Sequence, residues 1–138
     1  MRRLFLAGLM AAVFAAPAFG QVVKDGYVLA GAKLREALFG IEMSGYSPTF
    51  GFSWRECIQP NGETMYYTPG GVMHGRLTIS GTGQACFAYE DDGYRTPACY
   101  ITKQTEKGLR FEGEFDSVFI TTKVVKGVKT CSPDDLIG

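Results

Sequence analysis

One histidine and one tryptophan occur among 138 residues, and 14 basic side chains balance 14 acidic ones. The lone His74 cannot make a zinc site unless acids or thiols converge on it. No serine or cysteine signature gives it a nucleophile to activate. A chain without net charge offers no basic face to nucleic acid. The four cysteines include no C-x-x-C pair, which speaks against a redox pair or a zinc ribbon. Gly81-Thr82-Gly83 lacks the helix that follows a nucleotide loop and reads as a turn. Beyond residue 20 no run is apolar enough to span a bilayer. No repeat or composition shift marks a second domain. These absences leave no recognisable cofactor site, metal set or catalytic triad, and the chain is not expected to be an enzyme.

What is present begins with MRRLFLAGLMAAVFAAPAFG. Arg2 and Arg3 form a basic start, Leu4 to Ala16 an apolar run of signal-peptide length, and Ala18-Phe19-Gly20 a small-residue cleavage site. Residues 1–20 are therefore expected to be a signal peptide, with the mature chain starting at Gln21. Cleavage after Ala18 is the near alternative. Losing two arginines leaves 12 basic against 14 acidic residues, a net charge of −2. The remaining 21–138 suit one domain in the periplasm or outside the cell. Such a domain is small enough to gain from disulfide staples.

The stretch CFAYEDDGYRTPAC, residues 86–99, predicts a hairpin. Asp92-Gly93 accepts the positive φ values of a type I′ turn. A two-residue loop there pairs Glu90 with Arg95, Ala88 with Pro97 and Cys86 with Cys99. All three fall at non-hydrogen-bonded positions, where proline loses no ladder bond and two cysteines lie close enough to join. Cys57 and Cys131 then pair by elimination, although four cysteines allow three connectivities.

The same punctuation continues along the chain. Asn61-Gly62 suggests a two-residue loop, Pro69-Gly70-Gly71 and Gly81-Thr82-Gly83 three-residue loops, and Thr105 to Gly108 a four-residue loop. The expected strands are 50–59, 63–68, 72–80, 84–91, 94–104, 109–115, 117–125 and 128–132. This is an all-β, antiparallel up-and-down meander of about eight strands, a small barrel or a strongly curved sheet. The Cys57–Cys131 bond would staple the seam of a barrel. The loop lengths put Trp54, Glu56, Ile58, Met65, Tyr67, Met73, Leu77, Phe87, Tyr89, Tyr100, Phe111 and Phe115 on the inner face. They put Cys57, Thr64, Tyr66, His74, Cys86, Cys99 and Glu112 outside. One short N-terminal helix is expected near 31–39, with Leu34, Ala37 and Leu38 on one face and Gly40 as its stop. Ile41 to Thr49, with Gly45 and Pro48, reads as a connector or a poor edge strand.

Trp54-x-Glu56, Pro60-Asn61-Gly62, Gly75-Arg76-Leu77-Thr78-Ile79, Cys86-Phe87-Ala88-Tyr89 and Cys99 resemble a loose group of small exported bacterial β-meander proteins of uncharacterised function. The resemblance spans roughly residues 31–115. It implies a small β domain of the cell envelope and carries over no catalytic or binding residue. The topology is also similar to lipocalin-type barrels, by fold analogy alone, and their glycine–x–tryptophan signature is absent.

Glu56 is the one charge on the expected inner face, where burial would raise its pKa and let it hold an amine or a hydroxyl. Trp54, Glu56, Tyr67, Met73 and Tyr89 are the candidate lining of a barrel mouth. The acidic tip Glu90-Asp91-Asp92 lacks the alternating ligands of a calcium loop. Two kinds of partner follow. An unknown protein partner, such as a secreted enzyme to be inhibited, needs a filled core and an exposed apolar patch. A small apolar ligand, held as lipocalins hold theirs, needs an internal cavity of at least about 300 Å³.

Overall fold

The regular alternation of inward and outward side chains begins earlier than the punctuation suggests. In the computed structural model, which describes residues 26–133, Ile41–Ser47 is a full strand rather than a connector. The elements run β1 (Tyr27–Val28), α1 (Gly31–Leu38), β2 (Ile41–Ser47), β3 (Phe52–Ile58), β4 (Glu63–Thr68), β5 (Gly71–Ile79), β6 (Ala85–Tyr89), β7 (Ala98–Thr105), β8 (Gly108–Glu112) and β9 (Val118–Lys126). Each strand from β2 onward pairs antiparallel with the next, and β9 pairs back onto β2. Eight strands thus close into an up-and-down barrel. The ninth, β1, adds to the free edge of β7 that the short β6 leaves open. The expected signal peptide and the mature start at Gln21 lie outside the described residues.

The seam depends on Gly45. Ile41, Met43 and Ser47 on β2 are all buried, and Gly45 shares their face. Its pairing with β9 shifts register between Ser44 and Gly45. A Cβ at Gly45 would overlap the Ile120 carbonyl oxygen, so only glycine lets the two backbones meet. The glycine that reads as a strand breaker is where the barrel shuts.

Register differs from expectation at two turns. Gln59 N–H donates to Glu63 O, and Gly62 N–H to Gln59 O, so the loop holds Pro60, Asn61 and Gly62. Proline presets the first central position of a turn, and Gly62 takes the left-handed conformation at φ 91°. The next loop is shorter than expected: Thr68 pairs with Gly71 around Pro69-Gly70. The two slips cancel on β5 but invert β4. Thr64 and Tyr66 face inward, while Met65 and Tyr67 face outward.

The clamp forms at the expected pair, Cys86 opposite Cys99, and closes a short loop worth about 3 kcal/mol in chain entropy. Its tip is not a two-residue turn. The ladder pairs only Ala85–Phe87 with Ala98–Tyr100, and Glu90–Asp92 winds as a short 3-10 turn. Asp92 accepts hydrogen bonds from the Arg95 and Thr96 backbone N–H groups at 3.2 and 2.9 Å. That Asx-type arrangement outcompetes the tight hairpin. The second bond joins Cys57 to Cys131 but staples no seam, since 128–132 forms no strand. It pins the C-terminal segment over the outer face, where Cys57, Met65 and Tyr67 form a second buried cluster against Val128 and Cys131. Tyr67 donates to Ser132 O at 2.9 Å.

Phe115, expected inside, is 96% exposed. β8 ends at Glu112, and Phe115-Asp116 form the centre of a turn with φ of 55° and 54°. Thr49 Oγ1 holds this turn by donating to Asp116 O and accepting from Val118 N–H.

The two ends of the barrel differ. Leu34 and Leu38 of α1 bury in one cluster with Ile41, Ile58, Leu77, Ala85 and Leu109, which all lie at the same end of their strands. The helix closes that end, and the other ends in loops. Gly45→Ala should cost on the order of 3 kcal/mol in urea unfolding, because backbone must move. Gly81→Ala, with open space around it, should change stability by less than about 0.5 kcal/mol.

Candidate functional site

The loop end of the barrel encloses a cavity of about 130 Å³. Met43, Trp54, Glu56, Phe87 and Phe111 form its buried floor, and Tyr66, Tyr89, Tyr100 and Phe119 its half-buried rim. Alternation on seven different strands brings them together. Glu56 stands opposite Met43 on β2 and Tyr66 on β4. Gly75 of β5 pairs with Tyr89 of β6, and a Cβ there would press on the tyrosine ring. The missing side chain leaves room for that ring.

Four rings make one wall, each nearly perpendicular to the next. Trp54 meets Phe111 at 84°, Phe111 meets Tyr100 at 87°, Tyr100 meets Phe119 at 87°, and Phe119 meets Trp54 at 79°. The centroids are 5.7 to 6.4 Å apart, the favoured edge-to-face spacing. Tyr66 and Tyr89, 5.4 Å apart, form the facing pair.

Glu56 is only 3% exposed. The Tyr89 hydroxyl donates to its Oε2 at 3.0 Å, while Oε1 has no hydrogen-bond partner in the protein. Thr64 pulls the carboxyl's pKa down more than Tyr89 does, although neither Thr64 Oγ1 nor Glu56 Oε1 makes a hydrogen bond of good geometry. Burial pushes the carboxyl from 4.5 up to about 8, against the pull of Thr64 and Tyr89. Burial also pushes up the phenols of Tyr66, Tyr89 and Tyr100, with nearby Glu56 adding to it. The Trp54 indole N–H is likewise buried without a partner.

Of the five candidate lining residues, Trp54, Glu56 and Tyr89 line the cavity. Tyr67 does not, because the inverted β4 turns it outward under the C-terminal segment. Tyr66 takes its place. Met73 pairs with Tyr66 but is half-buried and outside the lining. Met43 is the residue that sequence reasoning missed, hidden in the segment taken for a connector. The alternation Ile41, Met43, Gly45, Ser47 was its signal, and Pro60 was the signal for Tyr66. His74 lies exposed on the outer face with its backbone N–H on Glu90 Oε1. The cavity falls well short of the volume an enclosed lipocalin-type ligand needs. Comparison with family models, curated proteins and solved structures finds no match to the chain.

Glu56 holds its proton more tightly folded than unfolded. Between pH 4.5 and about 8 the folded state keeps a proton that the unfolded chain has released. Stability should therefore fall as pH rises through that window, by up to about 1.4 kcal/mol per pH unit, and level off above it. Glu56→Gln should flatten the slope and exceed the wild type in stability at about pH 9. Urea unfolding across the window reads both, and an unchanged slope in the variant would assign the effect to another group.

Proposed function

We propose that the protein is an exported, non-catalytic binding module that takes a small ligand, or the small head of a larger one, into the aromatic pocket. The observation that carries this reading is Glu56 Oε1, a buried carboxyl oxygen that receives no hydrogen bond of good geometry from the protein, in the floor of a ring-lined cavity. Leaving such an oxygen unpaired costs on the order of 1–3 kcal/mol, and ligand-binding sites are where folds keep that cost. Covalent or charge-stabilised catalysis would need a nucleophile or a fixed charge beside Glu56. Its neighbours in the pocket are phenols pushed away from ionisation, hydrocarbon rings, an indole and a thioether. Two disulfides, and no helix among the described residues long and apolar enough to cross a membrane, are compatible with a periplasmic or secreted protein.

Trp54 is the only tryptophan, so its emission reports on the pocket alone. Native mass spectrometry of the protein from its own envelope, without reductant, should give a non-covalent adduct lost on denaturation. Re-adding that species should change Trp54 emission. A bare monomer, together with no response of Trp54 to any small polar or charged fragment, would overturn the reading.

A second reading, docking to a protein, is favoured by Phe115. A phenylalanine at positive φ costs about 1–3 kcal/mol, and this one spends it to hold an aromatic ring in solvent between Glu114 and Asp116. Its chemistry fits a partner with an apolar socket edged by basic side chains. Phe115→Asn with Asp116→Gly supplies the residues a type I′ turn prefers and should stabilise the free protein by about 1–2 kcal/mol. In gently solubilised envelopes the wild type should then migrate in a complex that the variant lacks. Identical migration of both as monomers would sink this reading.

A further inference from the structure

We propose that the pocket binds a methylated ammonium group, with the Glu56 carboxylate as its counter-charge and the aromatic walls as its cage. This rests on the pocket being a binding site and names the class of ligand.

The argument starts from what the cavity offers. Seven of the nine lining side chains are aromatic, one is a thioether, and one is a carboxyl. Aromatic faces carry negative potential and attract a cation within ~6 Å of the ring centroid. The Trp54, Phe111, Tyr100 and Phe119 quartet lines one side of the cavity, and Phe87, Tyr66 and Tyr89 line it as well. The walls supply attraction but few hydrogen-bond acceptors. In the floor the free acceptor is Glu56 Oε1, since Oε2 already receives the Tyr89 hydroxyl. A primary ammonium brings three N–H donors and would leave some unpaired. A methylated ammonium brings charge without that demand. A cavity of about 130 Å³ is close to one that holds a six-carbon ring, which is the scale of such a head group. The unpartnered Trp54 N–H gives a hydroxyl on the same ligand a donor.

The rim points the same way independently. The loops at the pocket end, 90–97 and 113–117, carry Glu90, Asp91, Asp92, Glu114 and Asp116 against one base, Arg95. The loops 48–51 and 69–70 carry no charge. Net negative charge on the loops at that end raises the local concentration of cations there, although Glu90 itself turns to the outer face beside His74.

Ionised Glu56 is the form a cation selects, so binding expels its proton below about pH 8. The other titratable groups facing it are the phenols of Tyr66, Tyr89 and Tyr100, from β4, β6 and β7, and all are shifted upward. Glu56 alone therefore sets the pH response.

The test titrates the disulfide-intact protein with choline, tetramethylammonium and 3,3-dimethylbutan-1-ol, the uncharged analogue of choline, while reading Trp54 emission. Choline should bind at least about tenfold more tightly than the alcohol, a gap expected of a cation–π and carboxylate site. Its affinity should rise about tenfold per pH unit up to roughly pH 8, then level off. Glu56→Gln should erase both the pH response and most of the preference for charge. Equal binding of choline and the alcohol would overturn the methylammonium assignment and leave the pocket a site for neutral ligands. No response to any of the three, or to the adduct from native mass spectrometry, would overturn the binding reading as well.

Discussion

The close approach of β9 to β2 at Gly45 is the constraint on which the rest of the structure depends. Without a side chain there, the Ile120 carbonyl comes within the space a Cβ would fill, and the meander closes instead of remaining a curved sheet. Closure decides what the interior contains. It sets Met43, from Gly45's own strand, and Trp54, paired with Gly45 on β3, beside Phe119 from the strand across the seam. An open sheet would leave Phe119 facing solvent and Glu56 hydrated. Closure makes Glu56 a buried acid and gives the aromatic rings a box to line.

That interior is costly in one place. A carboxyl pushed up to about 8 by burial opposes folding wherever it must ionise. The fold holds it with strong constraints elsewhere: a sealed helix end, a clamp between β6 and β7, and a longer disulfide loop that pins the C-terminal segment. The long loop spans 74 residues in sequence, and loop-entropy arithmetic puts its worth at roughly 4 kcal/mol. Both bonds lie on the outer surface, so the staples leave the interior free for other chemistry.

The architecture was legible because β punctuation is local. Asp, Asn, Gly and Pro clusters mark turns, and the Cys86–Cys99 pairing followed from counting across one of them. Its tip misled because Asp92 can serve its own backbone as well as a tight turn, and the two outcomes leave the same register four residues away. The errors that mattered to the site were of a different kind. Whether a loop has two residues or three inverts every side chain that follows. The Pro60 and Pro69 loops erred in opposite directions, so only β4 was inverted, and Tyr67 stood in for Tyr66. Gly45 was misread because a glycine that breaks a strand and a glycine that admits a neighbouring backbone look identical in sequence. Which it is depends on Ile120, seventy-five positions away.

The placement of aromatic residues follows from the same closure. A barrel of eight short strands normally fills its interior with side chains, and at the helix end aliphatic groups do so: Leu34, Leu38, Ile41, Ile58, Leu77 and Leu109. Aliphatic side chains are flexible and branched and can pack without gaps. At the other end rings line the wall, and the cavity lies among them. Aliphatic packing at one end and rigid rings at the other thus divide the interior into a structural half and a hollow half. Glu56, the one buried acid among the described residues, stands at the inner end of the hollow half, and the charged loops lie beyond it. Along the barrel axis hydrocarbon thus gives way to a buried carboxyl, then to rings, and then to the acidic loops.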